Sequence, residues 1–254
     1  MGKDAVLLID RGSREQTVQD ELKALTERVR QLGGFDVGEF ALLEVRGPTI
    51  EEGLGNCAEA GAENVVVFPY FLHNGLKCHL ALDKVRALSL RSGMSVVVID
   101  TPLGVDQMLV DLVLSTLRDL KATRTSVREE DCQVLLMGHG SSYPQERSDF
   151  QLIARSVKDQ SGYGGVEFCF LELASPTIPE GIGACLDRKP ELLLLMPYFL
   201  HFGAHLQRDV PRELENISQR VSLSNVLSGK HLGASPLLAE LVVKRIRQGT
   251  GRAQ

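Results

Sequence analysis

Two histidines and a glutamate, His139, Glu172 and His205, stand 33 residues apart at each step. Two imidazoles and one carboxylate suit a borderline divalent ion such as Fe2+, Co2+, Ni2+ or Zn2+. Histidine also titrates near neutrality, so the same side chains can accept and release protons. A second set lies 128 residues upstream, where Arg11 aligns with His139, Glu44 with Glu172 and Lys77 with His205. There two cations replace two imidazoles. The downstream set reads as a metal or proton-transfer site, the upstream set as a clamp that could hold carboxylates by charge-assisted hydrogen bonds. Ser13 and Ser141, beside Gly12 and Gly140, lie where loop amides and a helix N-terminus can receive an anionic oxygen.

Each of these residues also has an ordinary structural reading. His139 could serve a tight strand-to-helix turn with its imidazole bonded to backbone, Glu172 could cap a neighbouring helix, and His205 could be a partly exposed surface residue. Arg11 and Lys77 could mark a copy that lost its site and drifted to solvated cations. The argument for chemistry is convergence. His139 directly follows an apolar run, Glu172 ends another and His205 lies on the turn after a third, and in an open parallel α/β sheet the loops beyond the strand carboxyl ends meet at one rim, where ligands bind.

The elements that must position these residues are written twice. VLLIDRGS (6–13) aligns with VLLMGHGS (134–141), LLEVRGPTI (42–50) with FLELASPTI (170–178), and FPYFLHNG (68–75) with MPYFLHFG (196–203), all without a gap. Each copy alternates short apolar runs with longer helical periods, the pattern of βαβ units and a parallel sheet. The first copy predicts strands near 5–10, 37–44, 64–69 and 95–99 and helices near 14–32, 48–61, 76–92 and 105–121. The second predicts strands near 133–138, 166–172, 191–196 and 221–226 and helices near 144–161, 177–187, 204–219 and 235–248. VVVF and LLLLM are continuously apolar, as strands buried on both faces should be. The polar stretch 121–131 has no apolar period, so the expected organisation is a first lobe over 1–121, a linker over 122–131 and a second lobe over 132–254. If the lobes face each other across a pseudo-twofold axis, Arg11 and Lys77 look toward His139 and His205.

Composition narrows the function classes. The 254 residues are 43% hydrophobic and 24% charged, with a formal net charge of −5. That balance offers no general attraction for nucleic acid or an anionic membrane surface, and no basic stripe with interleaved aromatics is present. No apolar run reaches the ~18 residues of a membrane span. The N-terminal MGKDAVLLID reads as a first strand, not a signal peptide, and a cytoplasmic location is expected. Five cysteines, Cys57, Cys78, Cys132, Cys169 and Cys185, form no CxxC pair and are odd in number, so reduced and mostly buried thiols are expected in place of a disulfide framework. GHGS is not G-x-S-x-G, which argues against a hydrolase nucleophile elbow. His73 and His201 recur in both PYFLH blocks and suggest a shared packing or loop-shaping role. His79 and His231 have no counterpart.

The blocks MGHGS, FLELASPTI, PYFLHFGAHLQRDVP and HLGASPLLAELVVKRI resemble the class II tetrapyrrole chelatases of the CbiX and SirB type. The resemblance covers essentially all of both copies and is strongest in the second. It implies two tandem flavodoxin-like lobes with parallel four-stranded sheets, related by internal duplication. It further implies a sirohydrochlorin or related tetrapyrrole as substrate, Fe2+ or Co2+ as the metal delivered in sirohaem or cobalamin biosynthesis, no organic cofactor, and His139, Glu172 and His205 as the catalytic and metal-binding set. Arg11 and Lys77, oriented by Glu44, are then expected to bind the acidic arms, alongside Ser13 and Ser141. In two-lobe relatives of the SirB type the histidines are expected in the first half, whereas here they stand in the second. A fused pseudo-dimer can act as a monomer or pair into a homodimer. A non-catalytic tetrapyrrole or metal carrier and a zinc hydrolase are the alternatives.

Overall fold

The computed structural model describes residues 2–13, 15–44, 47–201, 225–233 and 235–251. The described elements follow the duplicated pattern. They are β1 (Lys3–Asp10), α1 (Gln16–Gly33), β2 (Val37–Leu42), α2 (Ile50–Glu59), β3 (Ala62–Pro69), α3 (Leu76–Ser89), β4 (Ser95–Val98) and α4 (Gln107–Lys121). After a short 3-10 turn at Glu129–Asp131 come β5 (Cys132–Gly138), α5 (Pro144–Gln160), β6 (Gly165–Phe170), α6 (Ile178–Leu186), β7 (Leu192–Pro197), β8 (Val226–Ser228) and α7 (Pro236–Thr250). The helix expected at 204–219 lies outside the described residues.

Two four-stranded sheets form, in the orders β2-β1-β3-β4 and β6-β5-β7-β8. Every pairing is parallel. The two sheets are the α/β architecture that the repeat predicts, one per copy. Their central strands are apolar on both faces because helices cover both faces, and all seven residues of β5 are buried.

Alternation along a strand sends successive side chains to opposite faces. Ala5, Leu7 and Ile9 of β1 accordingly join Ile50, Leu54 and Cys57 of α2 and Ala81 and Val85 of α3 in one core. In the second sheet Leu135 and Met137 join Ile178, Ile182 and Cys185 of α6 and Leu193 and Leu195 of β7. A separate aromatic core centres on Phe150 of α5, whose ring lies 5.9 Å from Phe168, 5.4 Å from Phe170 and 5.2 Å from Tyr198. All five cysteines are buried and none forms a disulfide. Burial pushes the thiols of Cys57, Cys78 and Cys185 up to about 12, which keeps them protonated and unreactive.

Spatial contact divides the chain into two compact units. One unit comprises Met1–Gly104 with Ala234–Gln254, and the other comprises Val105–Gly233. Within the first, α7 packs on α1 and β3; within the second, α4 packs on α5 and β7. The closing helix of each copy is therefore built into the unit of the other. Both helices have the apolar face such a site needs, with Leu109, Val110, Leu112, Val113 and Leu117 buried on α4 and Leu238, Ala239, Leu241, Val242, Val243 and Ile246 on α7. An amphipathic period specifies that a face is covered, not by which sheet.

The loops after β2 and β6 are pinned in the same way. Leu42 N–H donates to Pro48 O at 2.7 Å, and Phe170 N–H donates to Pro176 O at 2.8 Å. Each PTI segment then starts a helix with a capping box. Thr49 N–H donates to Glu52 Oε2 at 2.7 Å while Glu52 N–H donates to Thr49 Oγ1 at 3.2 Å. In the second copy Thr177 N–H donates to Glu180 Oε2 at 2.6 Å. These closures leave the preceding glutamates, Glu44 and Glu172, projecting at the carboxyl rims of their sheets.

Candidate active site

Parallel pairing continues one step past each strand pair and sets the site. Leu171 N–H donates to Gly138 O and Glu172 N–H to His139 O, both at 3.0 Å, so the glutamate backbone is fastened to the histidine backbone. In the first copy Leu43 N–H donates to Asp10 O and Glu44 N–H to Arg11 O, both at 2.9 Å. Gly140, at φ 92°, turns the chain away from the sheet. A Cβ there would lie 1.9 Å from Glu172 O and 3.0 Å from Phe170 Cβ, so only glycine lets the two loops close on each other.

The side chains meet as their backbones require. His139 Nε2 lies 3.3 Å from Glu172 Oε1, and His139 Nδ1 lies 3.3 Å from Gly140 O. Both neighbours are acceptors. A neutral imidazole has one N–H, so with Nδ1–H assigned toward the Gly140 carbonyl, Nε2 turns its lone pair to a carboxylate oxygen. Nε2 and Oε1 lie within hydrogen-bond distance of each other, so a proton on the imidazole or a cation can bridge them. The site is open, since the side chains of His139 and Glu172 are 36% and 56% exposed. Among the described residues no group of three or more His, Cys, Asp or Glu side chains is placed to hold a metal. His205, expected as the third member, lies outside the described residues.

In the first copy Arg11, Glu44 and Lys77 also come together. Arg11 Nε donates to Glu44 Oε2 at 3.3 Å, and Lys77, at the start of α3, donates to Glu44 Oε1. The Lys77 hydrogen bond, opposed by partial desolvation and aided by Arg11, lowers the Glu44 carboxyl below the ordinary glutamate value. Glu44 thus holds one cation on each carboxylate oxygen.

Ser13 and Ser141 shape their loops. Ser13 Oγ accepts from Glu15 N–H at 3.2 Å and Ser141 Oγ from Tyr143 N–H at 3.1 Å, which leaves each hydroxyl its own proton to donate. His73 and His201 sit partly buried just beyond β3 and β7, and His79 is exposed on α3. Two features of the site escape a reading by residue type. One is the Gly140 carbonyl that takes His139 Nδ1, for which G-x-G around the histidine is the available signal. The other is Leu173, a non-glycine residue at φ 63° directly after Glu172, which no pattern announces.

The chain is similar over its whole length to known chelatases. The chain is 30% identical over 243 residues to the sirohydrochlorin ferrochelatase of Priestia megaterium, covering 94% of this chain and 89% of that protein. It is 25% identical over 249 residues to the sirohydrochlorin cobaltochelatase of the same organism, covering 96% and 79%. The solved structure of SirB from Bacillus subtilis with Fe3+ matches with a TM-score of 0.82 at 25% identity, covering 98% of each chain. The duplicated α/β fold and the full-length relatives identify a class II chelatase. The chain belongs to the CbiX family, whose model matches residues 5–120 and again residues 133–249.

Proposed function

We propose that this protein inserts a divalent metal, Fe2+ or Co2+, into sirohydrochlorin, as a lyase of sirohaem or cobalamin biosynthesis. The observation that carries the reading is the His139–Glu172 pair, two electron-pair donors 3.3 Å apart on an open rim. Whole-length similarity to both a ferrochelatase and a cobaltochelatase acting on sirohydrochlorin supports it.

The reaction needs an ion stripped of water and two pyrrole N–H protons removed. His139 and Glu172, with His205 as the third member, hold the incoming ion as substrate and accept those protons. Gly140 O orients the imidazole, so that Nε2 is the atom offered. Ring and ion are both substrates, and the chemistry calls on no organic cofactor. Arg11 and Lys77 bind acidic arms of the ring, with Glu44 keeping both cations in place until the substrate carboxylate competes for them. The hydroxyls of Ser13 and Ser141 donate to further substrate oxygens. The enzyme works in the cytoplasm, as a monomer or homodimer, on a small molecule and without nucleic acid or membrane. No helix among the described residues is long and apolar enough to cross a membrane.

The test is anaerobic incubation with sirohydrochlorin and, separately, Fe2+, Co2+ and Ni2+, followed by visible absorption against a control without protein. Conversion over many turnovers is expected. A spectral change that stops at one equivalent would instead make the protein a carrier. Lys77→Ala is expected to raise KM for sirohydrochlorin about threefold to fivefold, the range of an exposed ion pair, with kcat little changed. An unchanged KM would remove Lys77 from the binding scheme.

A further inference from the structure

Leu173 carries two unfavourable features at once. Its backbone is left-handed at φ 63°, a region that side chains other than Gly, Asn and Asp rarely enter, and its side chain is 70% exposed. Core packing does not explain either feature. Asparagine at this position would fit the backbone better and the solvent better. The residue directly follows Glu172, whose N–H is fastened to His139 O at 3.0 Å, so the strained leucine is anchored beside the imidazole–carboxylate pair. Backbone strain that persists without a packing return, next to functional groups, points to a ligand contact.

We propose that Leu173 is a substrate-positioning residue, which presents its isobutyl group to the apolar face of the tetrapyrrole. The inference rests on the function proposed above and adds the group that seats the ring. A macrocycle centred over an ion held by His139 and Glu172 reaches several ångströms beyond its nitrogens in every direction, and the neighbouring residue lies beneath it. The described neighbours on either side of the pair, Ser141 and Glu172 itself, are polar. Leu173 supplies the apolar contact that a conjugated ring needs, from a side chain that stays exposed and outside the core.

The test uses the whole chain with Leu173→Asn, which suits the left-handed backbone and removes the apolar surface, and Leu173→Met, which retains apolar surface. Sirohydrochlorin affinity is measured by absorption titration without metal, beside KM, kcat and Tm. Leu173→Asn is expected to weaken ring affinity and raise KM about fivefold to tenfold, with kcat within about twofold of wild type and Tm equal or higher. A tenfold change corresponds to about 1.4 kcal/mol. Leu173→Met is expected to stay within about twofold of wild type throughout. Wild-type ring affinity in Leu173→Asn, or an equal loss in both variants, would overturn the proposal. If the wild type binds the ring but inserts no metal, the chelatase reading fails by itself, and the affinity of Leu173→Asn still decides the role of Leu173.

Discussion

His139→Ala is expected to slow metal insertion into sirohydrochlorin at least about 100-fold, the lower range for loss of a group that moves protons in the transition state. The fold should survive, because the imidazole is partly exposed and the bond that matters structurally is made by the backbone: Glu172 N–H still finds the carbonyl of residue 139. Circular dichroism and Tm should therefore match the wild type while the anaerobic absorption assay shows almost no turnover. Metal titration should also show weaker binding, since one of the proposed ligands is gone. A variant with more than half of the wild-type rate would remove His139 from the mechanism. Because the imidazole acts with Glu172, the double variant with Glu172→Ala should lose little more than the single one, as expected of groups that work as a unit.

Gly140→Ala should produce the largest structural effect at the site. The added methyl would be 1.9 Å from Glu172 O, a backbone atom that cannot move without pulling on the bond between Glu172 N–H and His139 O. The alanine would also have to hold φ near 92°, where side chains are strained. Together these should cost about 2–4 kcal/mol and lower Tm by about 10 °C. Activity should fall further than stability alone explains, because relief of the clash separates Glu172 from His139. Gly183→Ala is the matched control. Its Cβ would meet nothing within 4 Å, and in the interior of α6 alanine favours the helix by up to about 1 kcal/mol, so its Tm should rise and its activity stay unchanged. Equal Tm values for the two alanine variants would contradict this account of the loop.

Much of this architecture was legible in the residues. Continuous apolar runs such as VVVF and LLLLM read as strands covered on both faces, and they form the central strands β3 and β7. The pairing of His139 with Glu172 and of Arg11 and Lys77 with Glu44 followed from strand ends that share a rim. The strand expected at 37–44 ends at Leu42 because the chain turns there to let Leu42 N–H meet Pro48 O. What the sequence could not express is identity of partner. The apolar stripes of α4 and α7 predict burial equally well against either sheet, and a helix joined by a short connection ordinarily returns to its own. Leu173 was invisible for a related reason, since a left-handed residue is selected by the path of the loop and leucine carries no local signal for it.

The exchange of closing helices also reverses the order in which the lobes can be completed as the chain is made. Synthesis proceeds from the N-terminus, and domains generally fold as their sequence emerges. The unit that includes Met1–Gly104 lacks Ala234–Gln254 until those residues are made, whereas the unit Val105–Gly233 has all its residues before then. During that interval the surfaces of α1 and β3 that receive α7 have no cover of their own. The nascent first lobe, with the cationic cluster, thus has all four strands but waits for its last helix while the lobe with His139 and Glu172 can close ahead of it.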